Sequence, residues 1–183
     1  MRNPGLYTHL SMKLPTFYAA NIIIFCPVLP FDFDKISADI QRQLSDQLPT
    51  TAGKLAVDFF KKNFHDEGFT DRSFEPWPEV KRRLDPRTKG AARTRKILTG
   101  STGDLGESPA YRLDQPGSVT IYAEAFSPSG FNYAPVHNYG ATDTGRLRRT
   151  VIPQRKFIGP SFTLEQSITD LLHQVIASLL SPR

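Results

Sequence analysis

Apolar residues recur at fourfold spacing along Ile36, Ile40, Leu44 and Leu48, which predicts one helical face, with Asp34 placed to cap its start. Pro49 interrupts the pattern. Thr50 or Thr51 can cap a second segment, in which Leu55, Phe59 and Phe60 share a face with Ala52 and Ala56 up to Asn63-Phe64-His65. Two helices, or one helix bent at Pro49, both satisfy this spacing, and the stripe reads as core. Gly68 is the expected stop.

Residues 69–96 read as irregular. Trp77 stands between Pro76 and Pro78, which holds its backbone extended and suits an indole covering the edge of a core. Pro86 and Gly90 make the following basic run a loop, and Leu105 is the apolar anchor among the turn formers of TGSTGDLG. Tyr111 and Leu113, then Val119, Ile121 and Ala123, alternate with polar residues across Gln115-Pro116-Gly117, as a half-buried hairpin does. Tyr133 to Tyr139 predicts one or two helical turns ended by Gly140. Leu147, Arg149 and Val151 alternate with Arg148, Thr150 and Ile152, a third strand stopped by Pro153.

The clearest helix follows Pro160. Thr163 and Gln166 read as a capping box, and Leu164, Ile168, Leu171, Leu172, Val175, Ile176 and Leu179 keep one apolar face until Ser181-Pro182. The expected fold is α+β: an antiparallel sheet of three to five strands packed against N-terminal helices and a C-terminal helix. This single domain spans 31–183. Residues 1–30 form an extension, an arm or a poorly ordered segment; the apolar run 22–29 is far short of the roughly 20 residues that cross a bilayer. No membrane role is expected.

Charge sharpens this outline. The net charge of +5 is unevenly placed, since 13 of 23 basic residues lie in the runs 81–96 and 146–156. Lys81, Arg82, Arg83, Arg87, Arg93 and Arg95 in the first run, with Arg146, Arg148 and Arg149 in the second, are the candidates for contact with a partner or polyanion. Residues 66–79 carry Asp66, Glu67, Asp71, Glu75 and Glu79 against Arg72 alone, so an opposite-signed face is available. No DNA- or RNA-binding motif accompanies the basic runs, and any such contact would be independent of base sequence.

Catalytic chemistry finds little support. There is no G-x-S-x-G elbow, no phosphate-cradling glycine loop and no paired histidines, and Cys26 is the lone cysteine. No catalytic residue, cofactor or metal is therefore expected. His137, between Tyr133 and Tyr139, is the one candidate general base, but its nearest downstream acid is Asp143, in a loop. A lone histidine beside aromatics reads better as a packing residue.

Several segments, in order, resemble the virion morphogenesis, or tail-completion, proteins of tailed bacteriophages. They are the helical start with Asn63 to Gly68, Trp77, Ile97-Leu98 with Thr102-Gly103-Asp104-Leu105, and the strand Val119 to Ala123. Tyr133-Ala134 with His137 and Gly140, then Pro153 with Arg155 and Phe157-Ile158-Gly159, complete the series. Two T-G steps follow Leu98 instead of one, the loop after Gly140 is unusually basic, and residues 1–30 match nothing in the pattern.

The resemblance implies a non-enzymatic structural protein of the head–tail junction, present in the virion and in the host cytoplasm during assembly. It implies a cyclic homo-oligomer that meets tail-tube, tail-terminator or head-connector proteins, and DNA passing through a ring lumen is a further candidate partner. Acidic and basic segments on opposite faces would suit the heterologous contacts of such a ring. A sequence-independent nucleic-acid-binding accessory protein is the alternative, with a hydrolase using His137 a distant third.

Overall fold

The computed structural model describes residues 33–100, 102–145 and 149–180. The extension 1–30, Arg146, Leu147, Arg148 and the end of the last helix at Ser181-Pro182 lie outside them. Residues 33–183 form a unit of their own.

One helical run occupies the first third of this unit. Helix α1 (Phe33–Arg42) passes through a π-helical segment (Gln43–Gln47) into α2 (Leu48–Asp66) without a break at Pro49. Proline lacks the amide that would bond to the carbonyl four residues back. Here that carbonyl, Ser45 O, accepts the amide of Gly117 at 2.9 Å, and the wider π turn leaves room for the ring. Thr50 and Thr51 Oγ1 bond back to the carbonyls of Asp46 and Gln47 instead of capping a new helix.

The stripe on α1 is not core. None of its residues is buried, and Leu44 beyond it is exposed. Burial starts on α2, with Ala52, Ala56, Phe60 and Phe64 turned inward. The stop is Glu67 and not Gly68: Glu67 adopts a left-handed φ of 57° and its amide bonds to Asn63 O. Gly68 is required for space, because a Cβ there would lie 2.4 Å from the Phe74 ring.

Region 69–96 carries more structure than its sequence suggests. A short hairpin joins β1 (Gly68–Thr70) to β2 (Phe74–Pro76), and the basic run contains two single-turn helices, α3 (Lys81–Leu84) and α4 (Ala91–Thr94). The turn-rich TGDLG forms α5 (Asp104–Glu107), with Leu105 buried. Strands β3 (Pro109–Leu113) and β4 (Val119–Ala123) pair antiparallel with Tyr111 opposite Ile121, as the alternation predicts. Gly53 lets α2 approach this hairpin, since a Cβ there would sit 2.5 Å from the Tyr111 ring.

The sheet of three to five strands is not formed. The described residues hold three separate two-stranded antiparallel sheets, the third joining β5 (Ala141–Thr144) to β6 (Thr150–Ile152). The third strand was legible by its alternation, but alternation fixes faces and not partners. After β4 the chain turns through 127–130 into α6 (Ala134–Tyr139), and β6 then finds β5 instead of the earlier hairpin.

Helix α7 (Phe162–Leu180) is capped by Ser161, whose Oγ accepts the Leu164 amide at 3.3 Å, while Asp71 Oδ1 accepts the Phe162 amide at 2.7 Å. Thr163 instead donates its hydroxyl to the Asp71 carbonyl, so the Thr163–Gln166 box is absent. Of the apolar face of α7 only Leu164 is buried, and Ile176 is 41% exposed. Two core clusters result. One gathers Phe64, Trp77, Ile97, Leu105, Ala125, Ala134 and Phe157; the other gathers Ala56, Phe60, Phe69 and Leu164.

Candidate functional site

Residues 131–140 and 153–160 meet Trp77 and the end of α2 through bonds to irregular backbone. Phe157, with no exposed surface, packs its ring 5.0 Å from Phe64, which in turn meets Trp77 edge-on. The irregular stretch after Pro153 has amides that no helix or strand can satisfy, so side chains must do so. Asn138 Oδ1 accepts the amides of Phe157 and Ile158 at 2.9 and 3.1 Å, and Asn63 Nδ2 donates to the Phe157 carbonyl. Trp77 Nε1 donates to Lys156 O at 2.7 Å. Gly140 turns the chain at φ 75°, where a Cβ would lie 2.9 Å from Gln154 N and 3.0 Å from Ile152 O. Tyr133, Gly140, Pro153, Phe157 and Gly159 thus belong to one joint, with Trp77 across it.

The basic residues divide into two groups. Arg83 grips Glu67 through both oxygens and also reaches Glu79. These bonds, with the Ile97 amide on Glu67 Oε1, hold the Glu67 carboxyl below its ordinary range and offset its left-handed backbone. Asp66 is engaged by His65 and Lys62, and Asp71 caps α7. Most of the acidic segment is therefore spent within the chain and is not a free face. Arg87 pairs with Asp85, and Lys81, Arg93 and Arg149 are exposed and form no ion pair among the described residues. Arg95 contributes its carbonyl to Arg82 and Arg83. Arg146 and Arg148 lie outside the described residues.

The two basic runs meet at one place. Arg155 is buried and donates from Nε and Nη2 to Pro78 O, at 3.0 and 2.9 Å. Arg82 donates Nη2 to the carbonyls of Arg95 and Lys96, both at 2.7 Å. Both arginines line a cleft of about 240 Å³ together with His137, Tyr133, Asp104 and Leu98. Leu98, at φ 61°, is a non-glycine residue in the left-handed region.

His137 sits edge-on to Tyr133 at 6.0 Å, and its Nδ1 is buried without a hydrogen-bond partner. Burial, and then the positive charge of Arg155, hold its pKa below 6.5, so the imidazole is neutral near pH 7. Burial, then Arg82, likewise lower the pKa of Arg155, against a smaller opposing pull from Glu79. Among the described residues no carboxylate bonds to His137, and the arrangement suits holding a negative charge better than moving a proton.

The bonding roles of Asn138, Asn63 and Glu67 are not legible in the sequence. The available signal was indirect: an irregular, proline- and glycine-bounded segment that crosses a core needs side-chain acceptors. Among the described residues no three His, Cys, Asp or Glu side chains gather as a metal site requires, and no helix is long and apolar enough to cross a membrane. Compared with protein-family models, with curated proteins and with solved structures, the chain gave no match.

Proposed function

We propose that this protein is a structural component of the head–tail junction of a tailed bacteriophage, a tail-completion or neck protein working by self-association and docking. One observation carries the reading. The residues common to the resemblance, Trp77, Tyr133 to Gly140 and Pro153 to Gly159, come together in one joint, and Trp77 and Arg155 spend their side-chain bonds on its backbone. Their bonds to one another's backbone build a framework.

Around that framework large apolar side chains reach solvent. Phe126 and Phe131 flank one turn at 56% and 57% exposure, and the outer half of α7 is only partly buried. Such surface suits a heterologous contact repeated around a ring. The partners would be further copies of this chain with tail-tube, tail-terminator or connector proteins, in the virion and, during assembly, in the host cytoplasm. Purified protein added to isolated tail tubes and connector rings should decorate their ends in stained electron micrographs. Bare ends on both contradict the proposal.

A second reading, sequence-independent binding of nucleic acid, is favoured by the exposed cations Lys81, Lys89, Arg93 and Arg149. DNA affinity that falls steeply with salt, with a slope reduced by neutralising 81–96, would raise this reading above the first.

A further inference from the structure

We infer that the cleft between α3, the stretches 97–100 and 102–105, and α6 is a binding site for one compact oxyanion, a phosphate or carboxylate group. Three basic side chains, Arg82, His137 and Arg155, line it against a single acid, Asp104. The two guanidinium groups bond only to backbone carbonyls, and neither forms an ion pair among the described residues. Both line the one cleft, and the positive charge of Arg82 is among the causes that lower the pKa of Arg155. Two further nitrogens, Arg82 Nε and His137 Nδ1, are buried without a hydrogen-bond partner among the described residues.

A buried guanidinium donor and like charges on one cleft are costly unless an acceptor of opposite charge meets them, and the neutral imidazole of His137 adds a donor in the tautomer that carries its proton on Nδ1. A planar carboxylate or a tetrahedral phosphate matches the fork of a guanidinium, and its charge would relieve the repulsion between the two arginines. Thr102 on the same wall adds a hydroxyl donor, whereas the Thr99 hydroxyl is already given to the Lys96 carbonyl at 2.8 Å. Leu98, in its left-handed conformation on that wall, is the kind of local strain that gathers at ligand sites. The site is independent of the assembly role: it makes the same demand on a ligand whether or not the protein forms rings.

Isothermal titration of the full chain with inorganic phosphate, and separately with acetate, at ionic strength held constant with chloride, tests this. Saturable binding at one site is expected. Response to both anions identifies general oxyanion recognition, and response to phosphate alone identifies a phosphate site. R82Q should weaken binding by about tenfold. T102E, a change at an exposed residue of the wall, should abolish it by supplying the carboxylate from the chain itself. D104N should tighten it, and R93E, away from the cleft, should leave it unchanged. Absence of saturable binding for both anions overturns the inference, as does R93E weakening binding as much as R82Q. Unaltered binding in T102E overturns it as well, even where R82Q does not fold.

Discussion

His137 and Asn138 are neighbours on the same short helix, yet they meet opposite fates. Asn138 turns to the joint and accepts two amides from Phe157 and Ile158, while His137 turns to the cleft with a buried nitrogen that has no partner. On the joint side, polar groups meet complementary groups at short range, and Phe157 is sealed beneath them. On the cleft side, basic groups are brought together and left with carbonyls alone. The difference separates what holds the fold from what is available to a ligand. A buried polar side chain that is fully bonded is structural, and one that is not has been kept for another reason or at a cost.

Breaking the joint should have the largest effect. Phe157→Ala removes a fully buried ring that contacts Phe64, and should cost about 3–5 kcal/mol in chemical denaturation. Asn138→Leu, of similar size, leaves one buried and one half-buried amide without an acceptor, and should cost about 2–3 kcal/mol in the same measurement. A loss below about 1 kcal/mol for Asn138→Leu would erase the distinction between the two sides of the helix.

His137→Leu is the converse change and should shift stability at pH 7 by about 1 kcal/mol or less, because no bond is lost. Its signature is in pH. The folded-state pKa of His137 lies below the ordinary 6.5, so the unfolded chain takes up the proton first as pH falls. The native protein should therefore keep this stability above pH 6.5 and lose it progressively below, with Arg82, Arg155 and Asp104 as the charged groups around the same cleft. His137→Leu should remove that part of the slope. Glu67 adds a separate acid limb in both proteins: its pKa is held below 4.5, so its contribution is full above that value and lost as pH falls through the folded pKa. Denaturant midpoints at several pH values would resolve the two.

Much of this outline was legible in the sequence. The β3–β4 hairpin, the helical turns before Gly140, the indole of Trp77 over the core and the long C-terminal helix follow from periodicity and turn chemistry. What escaped was set by distant partners. Pro49 reads as a break until the amide of Gly117 is seen to take the carbonyl it leaves free. Ser161 and Asp71, not Thr163, start α7, because the cap is built from a loop 91 residues away. Strand 150–152 is visible by its alternation, but its pairing with 141–144 is not. Arg82 and Arg155 belong to two basic runs far apart in the sequence, and only folding places them on one cleft.

The central claim, that this joint is a framework for assembly and not for catalysis, is tested most directly by sedimentation velocity across a wide range of protein concentration. A discrete ring-sized species is expected that persists on dilution and is lost when Phe131 and Ile176, both exposed, are changed to Asp. A monomer at every concentration, unaltered by those substitutions, would contradict it.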